Sequence, residues 1–413
     1  MADQLKAELW TSSSNEALKL FIADSEGAVS FPPVFTYPIF GDSETIYGYQ
    51  GLEILLCFNH YTFRPFLNIR YDKKLEMPNV EDPKSKLLTL LSKQTVFKDE
   101  VKWVDEVKNE IANYQIPGQL VDDFEQDNES YEIYKLDLTS DSGLELHQRL
   151  QILVLLFIEA GSYIDSNDPL WNVYVLYKVS PNEKNPRSII GFTTIYQYWK
   201  YPGAKAFDEG LRETRLKISQ FIILPPYQGK GLGQLFYSRL FGNWLKNEEI
   251  VEIVVEDPNE QFDDMRDRAD LSFLNKQLDL NLINTKLTPG WIELTRKKFK
   301  LEKRQFARLL EMILLYKLKH NTGSDSVKDV RLFIKRRLFE KNIEALSPLE
   351  EADRRDKLHT AYQSLTEDYY RILDGVRLRM KRSLTDDNDD VNDDTNDESA
   401  SLEKSKKVRL NKQ

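Results

Sequence analysis

Between Gln220 and Phe236 the chain reads QFIILPPYQGKGLGQLF. A β-branched apolar run meets two prolines, then glycines at 229, 231 and 233, then Leu232, Leu235, Phe236, Leu240 and Trp244 at helical spacing. A strand must end there, the backbone must turn tightly, and a helix must start. The next apolar run, EEIVEIVVEDPN, is a second strand closed by Asp-Pro. Strand, helix and strand in that order require a right-handed crossover that lays the second strand parallel to the first. This part of the chain is therefore expected to be α/β, with a mixed sheet.

Upstream, LELHQRLQILVLLFIEAG reads as one helix stopped at Gly161. WNVYVLYKV and IIGFTTIYQYWKY read as a hairpin joined by the turn-rich SPNEKNPRS, and LKISQFIIL as the next strand. The first hundred residues mix turn signals with short strands, GYQGLEILLCFNH and FRPFLNIRYD, after an irregular FPPVFTYPIFGD. Beyond Asp270 strands stop, and helices are expected over Glu302–His320, Val327–Ala345 and Pro348–Met380. The stretch TDDNDDVNDDTNDESAS has no apolar period and is expected to be disordered. A basic cluster, KSKKVRLNKQ, follows it and matches the composition of a nuclear-import signal. A chain of 413 residues is too long for one ordinary domain. The expected division is 1–115 as a small N-terminal mixed domain, 116–270 as the glycine-turn domain, 271–382 as a helical domain, and 383–413 as the acidic tail with its basic end.

A net charge of -10 argues against sequence-independent nucleic-acid binding and for a basic partner or substrate. One cysteine, Cys57, excludes an internal disulfide framework and fits a reducing compartment; in its β-rich run it reads as core rather than nucleophile. The opening MADQLKAELW lacks a signal-peptide layout, and the run LQILVLLFIEAG is too short to span a bilayer and carries Glu159, so no membrane association is expected. His60, His147, His320 and His359 lie too far apart for zinc-ligand spacing, so no metal is expected. Arg336, Arg337, Arg354 and Arg355 read as solvated helix faces.

The glycine turn fits neither nucleotide cradle. A Walker A loop needs Ser or Thr after its Gly-Lys pair, but Gly231 follows Lys230. A dinucleotide fingerprint needs a glycine where Gln234 stands. What remains is a helix start whose first N–H groups are unshielded, an anion site suited to a pyrophosphate. Ligands of a parallel pair sit beyond the carboxyl ends of the strands, so Glu256 should face the same crevice. Pro225 and Pro226 cannot join a ladder, so the two strands are expected to part at the prolines. Glu159 has two open readings: an exposed helix end, or a cleft carboxylate with a raised pKa.

At this point the residues resemble a known family. Gln228-x-x-Gly231-x-Gly233 between a strand and a helix is similar to the acetyl-coenzyme A signature of the GCN5-related N-acetyltransferases (GNAT). SQFIILPPYQGKGLG, VVEDPNEQFDDMRDRAD, FIEAGSYIDSNDPLW and FGDSETIYGYQGL together resemble the family of type B histone acetyltransferase catalytic subunits, from about residue 5 to 320. The resemblance implies a GNAT fold and acetyl-coenzyme A as co-substrate. It implies that the backbones of Phe221, Ile222 and Ile223 pair with the pantetheine arm. Gln228, Gly229, Lys230, Gly231, Leu232, Gly233 and Gln234 would wrap the pyrophosphate, with Asn259 further along. Glu256 would be the general base, assisted by Glu159 and Asp257. Asp42, Glu44, Tyr196, Gln197 and Tyr198 would touch the tail of newly made, non-nucleosomal histone H4, which arrives with H3. A WD-repeat histone chaperone would be the partner, and cytoplasm and nucleus the compartments.

The chemistry agrees. A lysine ammonium must lose a proton before it attacks a thioester, and a carboxylate can take it if its pKa is raised; Glu159 and Asp257 are expected to raise that of Glu256. The Ile223 N–H is expected to stabilise the oxyanion. Carboxylates and tyrosine faces suit a basic tail. Trp199 reads instead as strand-face core. Two other functions stay open: an acetyltransferase for protein N-termini or small amines, and a histone escort with a vestigial coenzyme site.

Overall fold

The computed structural model describes residues 7–78, 80–180 and 187–380. The acidic tail and its basic end, expected over 383–413, lie outside the described residues, as do positions 181–186 of the SPNEKNPRS connection. The chain divides into two compact units, residues 1–269 with 289–306, and residues 270–288 with 307–413.

The first unit carries a six-stranded sheet of β1 (Gly118–Gln126), β2 (Glu129–Leu136), β3 (Trp171–Val179), β4 (Arg187–Lys200), β5 (Glu213–Ile223) and β6 (Ile250–Val255), which neighbour one another in chain order. Pairing is antiparallel as far as β5, and β5–β6 is parallel. Between β2 and β3 lie α1 (Asp141–Leu150) and α2 (Ile152–Phe157). The crossover from β5 to β6 is α3 (Leu232–Leu245), whose Leu232, Phe236, Leu240 and Trp244 are buried, as their spacing requires. Then α4 (Glu260–Gln277) follows β6.

The expected single helix ending at Gly161 is two helices, and α2 stops at Phe157. Ile158 is extended at φ -116° and Ala160 is left-handed at φ 53°. The reason is tertiary: the Ala160 N–H donates to the Tyr37 hydroxyl at 2.5 Å instead of continuing a helix. Ile152 to Leu156 are all buried, so no polar face marks where the helix ends.

A five-stranded sheet from the first hundred residues has the order Ala28–Phe31, Leu18–Ala23, Glu53–Asn59, Pro65–Arg70, Val96–Phe97. Its Leu20, Leu56 and Phe58 belong to the same buried cluster as Leu153, Val173, Phe192 and Ile222. Segments 1–115 and 116–270 thus share one hydrophobic core. Burial pushes the Cys57 thiol up to about 12, so it is an inert packing group.

After α5 (Pro289–Lys298) of the first unit comes α6 (Lys303–Lys319), which belongs to the second unit from Ala307 on, and then α7 (Val327–Lys341) and α8 (Glu351–Leu373) of the second unit. A capping box of Ser326 and Asp329 starts α7, and Val330, Ile334 and Leu338 form its buried stripe. Arg337, expected to be solvated, is instead a clamp: its guanidinium grips buried Glu311 at 2.6 and 2.7 Å, and the Tyr369 hydroxyl donates to the same carboxylate at 2.9 Å. A helical period alone does not reveal that a carboxylate waits opposite.

His147 of α1 is buried, and neither ring nitrogen has a hydrogen-bond partner among the described residues. Burial pushes its pKa down to about 4. The unfolded chain takes a proton near pH 6.5, and the folded chain resists it until about pH 4. Stability should therefore be full above pH 6.5 and fall by about 3 kcal/mol as pH drops to 4. Denaturant unfolding across this range should show that fall in the wild type and a flatter profile in His147→Leu; equal slopes would contradict it.

Candidate active site

The glycine turn is built as a helix start stripped of side chains. After β5 a 3-10 turn covers Pro225–Tyr227, and Gln228 leads into Gly229 at φ 75° and Gly231 at φ 73°. Gly231 is the N-cap of α3 and no side chain caps it. A Cβ at either glycine would meet nothing within 4 Å. The left-handed backbone, not crowding, therefore demands glycine at both positions, and the space above the first α3 amides is open. Those amides and the positive end of the helix form an anion site. Gln228 braces the turn by donating from Nε2 to the Ile223 carbonyl at 2.7 Å. Lys230 Nζ lies 5.9 Å from the centre of the Tyr227 ring. Gly233 lets α3 lie close on β5: a Cβ there would sit 3.5 Å from Ile223 and 3.8 Å from the Phe221 ring.

Beside this turn the sheet opens. β5 pairs with β4 along its length, from Lys200↔Glu213 to Gly191↔Ile223, but with β6 only from Thr214 to Ile218. The last rung is the Glu256 N–H to the Ile218 carbonyl, 2.9 Å. Ser219 is an extra residue between the partners of Ile195 and Thr194, a β-bulge. The strands therefore part at Ser219 and not at Pro225 and Pro226, which lie further on in the 3-10 turn. The bulge bends β5 where its pairing to β6 stops, before the chain reaches the prolines.

Strand alternation then corrects the expected backbone edge. Leu224 N–H bonds the Ile190 carbonyl, and the Ile222 carbonyl lies against Gly191, where a Cβ would come within 2.2 Å of it. Ile222 thus faces β4, while Phe221 and Ile223 present their N–H groups to the gap.

Glu256 stands at the mouth of that gap. Its Oε1 lies 2.5 Å from Lys217 Nζ, and its Oε2 accepts from the Ser219 hydroxyl at 2.5 Å. Burial acts to raise its pKa, but the hydrogen bonds from Lys217 and Ser219 and the charge of Lys217 prevail and hold it below the ordinary value. The expected raising by neighbouring carboxylates is thus reversed, because the nearest charge is a cation. Asp257 is exposed and strained at φ 34°. Asn259 Oδ1 accepts from the Phe262 N–H at 2.9 Å and caps α4.

Glu159 takes the exposed reading. Its loop is tied on one side by Ala160 to Tyr37, and on the other by Gln220 Nε2 to the Ser162 carbonyl at 2.7 Å, next to the Ser219 bulge. Within FGDSE, Asp42 is exposed and Glu44 is half-buried. Glu44 accepts from the Thr36 and Tyr37 N–H groups at 2.7 and 3.1 Å and from Asn15 at 2.7 Å. These bonds, the Thr36 one foremost, pull its pKa down and commit its carboxylate to the turn.

Tyr196 and Tyr198 stack along β4 with ring centres 6.0 Å apart, and Trp171 of β3 lies 4.8 Å from Tyr196. Lys217 and Arg215 of β5 sit over these two tyrosine rings, each 5.9 Å from a ring centre. Arg215 continues to buried Glu252 at 2.5 Å, which also binds Arg296 of α5 at 2.9 Å. Gln197 faces away from the tyrosines, into an open cleft of about 500 Å³ lined also by Leu170, Trp199 and Leu211. Trp199, expected in the core, is 52% exposed and clusters with exposed Tyr201 and Phe207. Sequence reasoning missed Lys217, Ser219 and Trp171. The i, i+2 spacing of Lys217 and Ser219 on a strand was the available signal for the first two. Among the described residues, no group of three or more His, Cys, Asp or Glu side chains could hold a metal.

A parted parallel pair, an uncapped glycine helix start at its end and a carboxylate at its mouth define an acetyl-coenzyme A-dependent N-acetyltransferase of the GNAT class. The family model "Acetyltransferase (GNAT) family" matches residues 144–262, "Histone acetyl transferase HAT1 N-terminus" matches 10–159, and "Fungal HAT1, C-terminal" matches 267–319. The histone acetyltransferase type B catalytic subunit of Candida albicans is 59% identical over 94% of this chain and 95% of its own. That of Debaryomyces hansenii is 56% identical over 93% and 94%, and that of Kluyveromyces lactis 45% over 94% and 97%. The chain belongs to the family of histone acetyltransferase type B catalytic subunits.

A β-branched residue is least able to hold the left-handed angle of Gly231. Gly231→Val should weaken acetyl-coenzyme A binding about tenfold or more, measured by calorimetric titration. An unchanged Kd would show that this backbone angle is not required.

Proposed function

We infer that the chain transfers an acetyl group to a lysine of the tail of newly made, non-nucleosomal histone H4, by direct attack in a ternary complex with Glu256 as general base. The observation that carries this reading is the position of Glu256 at the mouth of the gap, where its own N–H makes the last β5–β6 hydrogen bond.

The bound thioester supplies an activated acyl carbon. Gln228 to Gln234 hold the pyrophosphate on the α3 amides, with Asn259 further along. The Phe221 and Ile223 amides meet the pantetheine arm, and Ile223 stabilises the developing oxyanion. Glu256, ionised at neutral pH, attracts the cationic acceptor and accepts its proton as the amine nitrogen bonds to the acyl carbon and the thiol leaves. Glu159 and Asp257 add negative potential around the acceptor. Asp42, Tyr196 and Tyr198 receive the basic tail, and Glu44 holds the turn that carries Asp42.

The relatives' names concern histones, and the exposed carboxylates and stacked tyrosines fit a flexible, lysine-rich tail. H3 accompanying H4, a WD-repeat histone chaperone as partner, and residence in cytoplasm and nucleus belong to the same reading. The exposed Trp199, Tyr201 and Phe207 supply an apolar surface suited to a protein partner.

Mass spectrometry after incubation with acetyl-coenzyme A and an H4 tail peptide tests this reading. The wild type should acetylate the peptide but not its lysine-free analogue. Glu256→Gln should lower turnover by about 10² to 10⁴ while acetyl-coenzyme A still binds. Acetylation of the lysine-free peptide at its N-terminus would identify a different acceptor, and full turnover by Glu256→Gln would remove Glu256 as base.

A further inference from the structure

Lys217 and Ser219 occupy both oxygens of the Glu256 carboxylate. Lys217 reaches it with its ammonium 5.9 Å from the centre of the Tyr196 ring, and Trp171 walls that ring at 4.8 Å. Aromatic surface along the stem and a carboxylate at the nitrogen are the features an acceptor lysine needs at this point. We propose that Lys217 is the internal occupant of the acceptor-lysine site: its ammonium holds, in the substrate-free enzyme, the place the incoming nitrogen takes, and the acceptor enters by displacing it from Glu256. This rests on the reading of Glu256 as general base.

The exchange is physically easy. The Lys217 side chain is 26% exposed and that of Glu256 40%, so the pair is at the surface, where ion pairs are weak. Lys217 can swing into solvent without leaving a buried charge. Oε2 remains held by Ser219, so the carboxylate keeps its orientation while Oε1 changes partner. The acceptor thus replaces one cation by another and the local charge balance is kept. Between turnovers Lys217 keeps the base ionised. The charge acting on Glu256 is that of Lys217; Tyr196 below it shares a hydrogen bond with Asp168, and Arg215 is engaged with Glu252. Lys217 is a positioning residue, since it acts through Glu256.

The test compares wild type, Lys217→Met and Lys217→Arg of the full chain. First, the Glu256 carboxyl is titrated by carbon-13 NMR without substrate. Its midpoint should rise in Lys217→Met, and Lys217→Arg should restore it. Second, kcat/KM for an H4 tail peptide is followed against pH. The acidic limb should move up by the same amount in Lys217→Met, and at pH 8, above both midpoints, the peptide KM should fall because no internal cation competes. A midpoint unmoved in Lys217→Met, or a peptide KM unchanged at pH 8, overturns the proposal. If Glu256→Gln retains turnover, the base reading fails instead, and the NMR titration still reads the Lys217 contact by itself. Ser219→Ala should shift the midpoint less than Lys217→Met while leaving the KM effect absent, which separates loss of a hydrogen bond from loss of the competing cation.

Discussion

One inserted residue governs the site. Ser219 breaks the register of β5 against β4, and with it the parallel pairing to β6 ends at Ile218. Past that point β5 keeps one neighbour and loses the other. The freed edge offers backbone N–H groups at Phe221 and Ile223, and Glu256, whose N–H makes the last rung, sits across the opening. The same Ser219 then fixes Glu256 by donating to Oε2. The break that makes the slot and the hydroxyl that aims the base are one residue.

The surrounding structure holds this opening in place. Gln228 bridges back to Ile223 and fixes the glycine turn to the end of the strand. Gln220 reaches the Ser162 carbonyl, and Ala160 reaches Tyr37, so the Glu159 loop and the Asp42 turn are tied to the bulge through three short hydrogen-bonded steps. Beneath them, the five-stranded and six-stranded sheets share a core that includes Ile222 and Leu224 of the parting strand. A slot on a mobile strand would orient a substrate poorly; this one is anchored from below by packed apolar side chains.

The parts of this design visible in the sequence are those set by local rules. Glycines at 229 and 231 announce left-handed backbone, the Leu232–Trp244 spacing announces α3, and two β-branched runs around a helix imply a parallel return. What stayed hidden depends on partners distant in sequence. A bulge leaves no residue signature at Ser219, whereas the prolines are visible and mark the wrong place for the parting. The end of α2 is set by Tyr37, more than a hundred residues away. The Glu256 pKa was expected to rise because its sequence neighbours are acidic, whereas its spatial neighbour is Lys217. Trp199 looked like core because strand alternation does not say which face is covered, and Arg337 looked solvated because Glu311 lies on another helix.

The most direct test of the parted strand is amide hydrogen exchange at Phe221, Ile222 and Ile223, with and without acetyl-coenzyme A. Ile222 should be protected in both states, since it is bonded to β4. Phe221 and Ile223 should exchange readily alone and become protected when the ligand binds along the open edge. Equal exchange at Phe221 and Ile223 in the two states would contradict a coenzyme slot formed by the strand edge beyond Ser219.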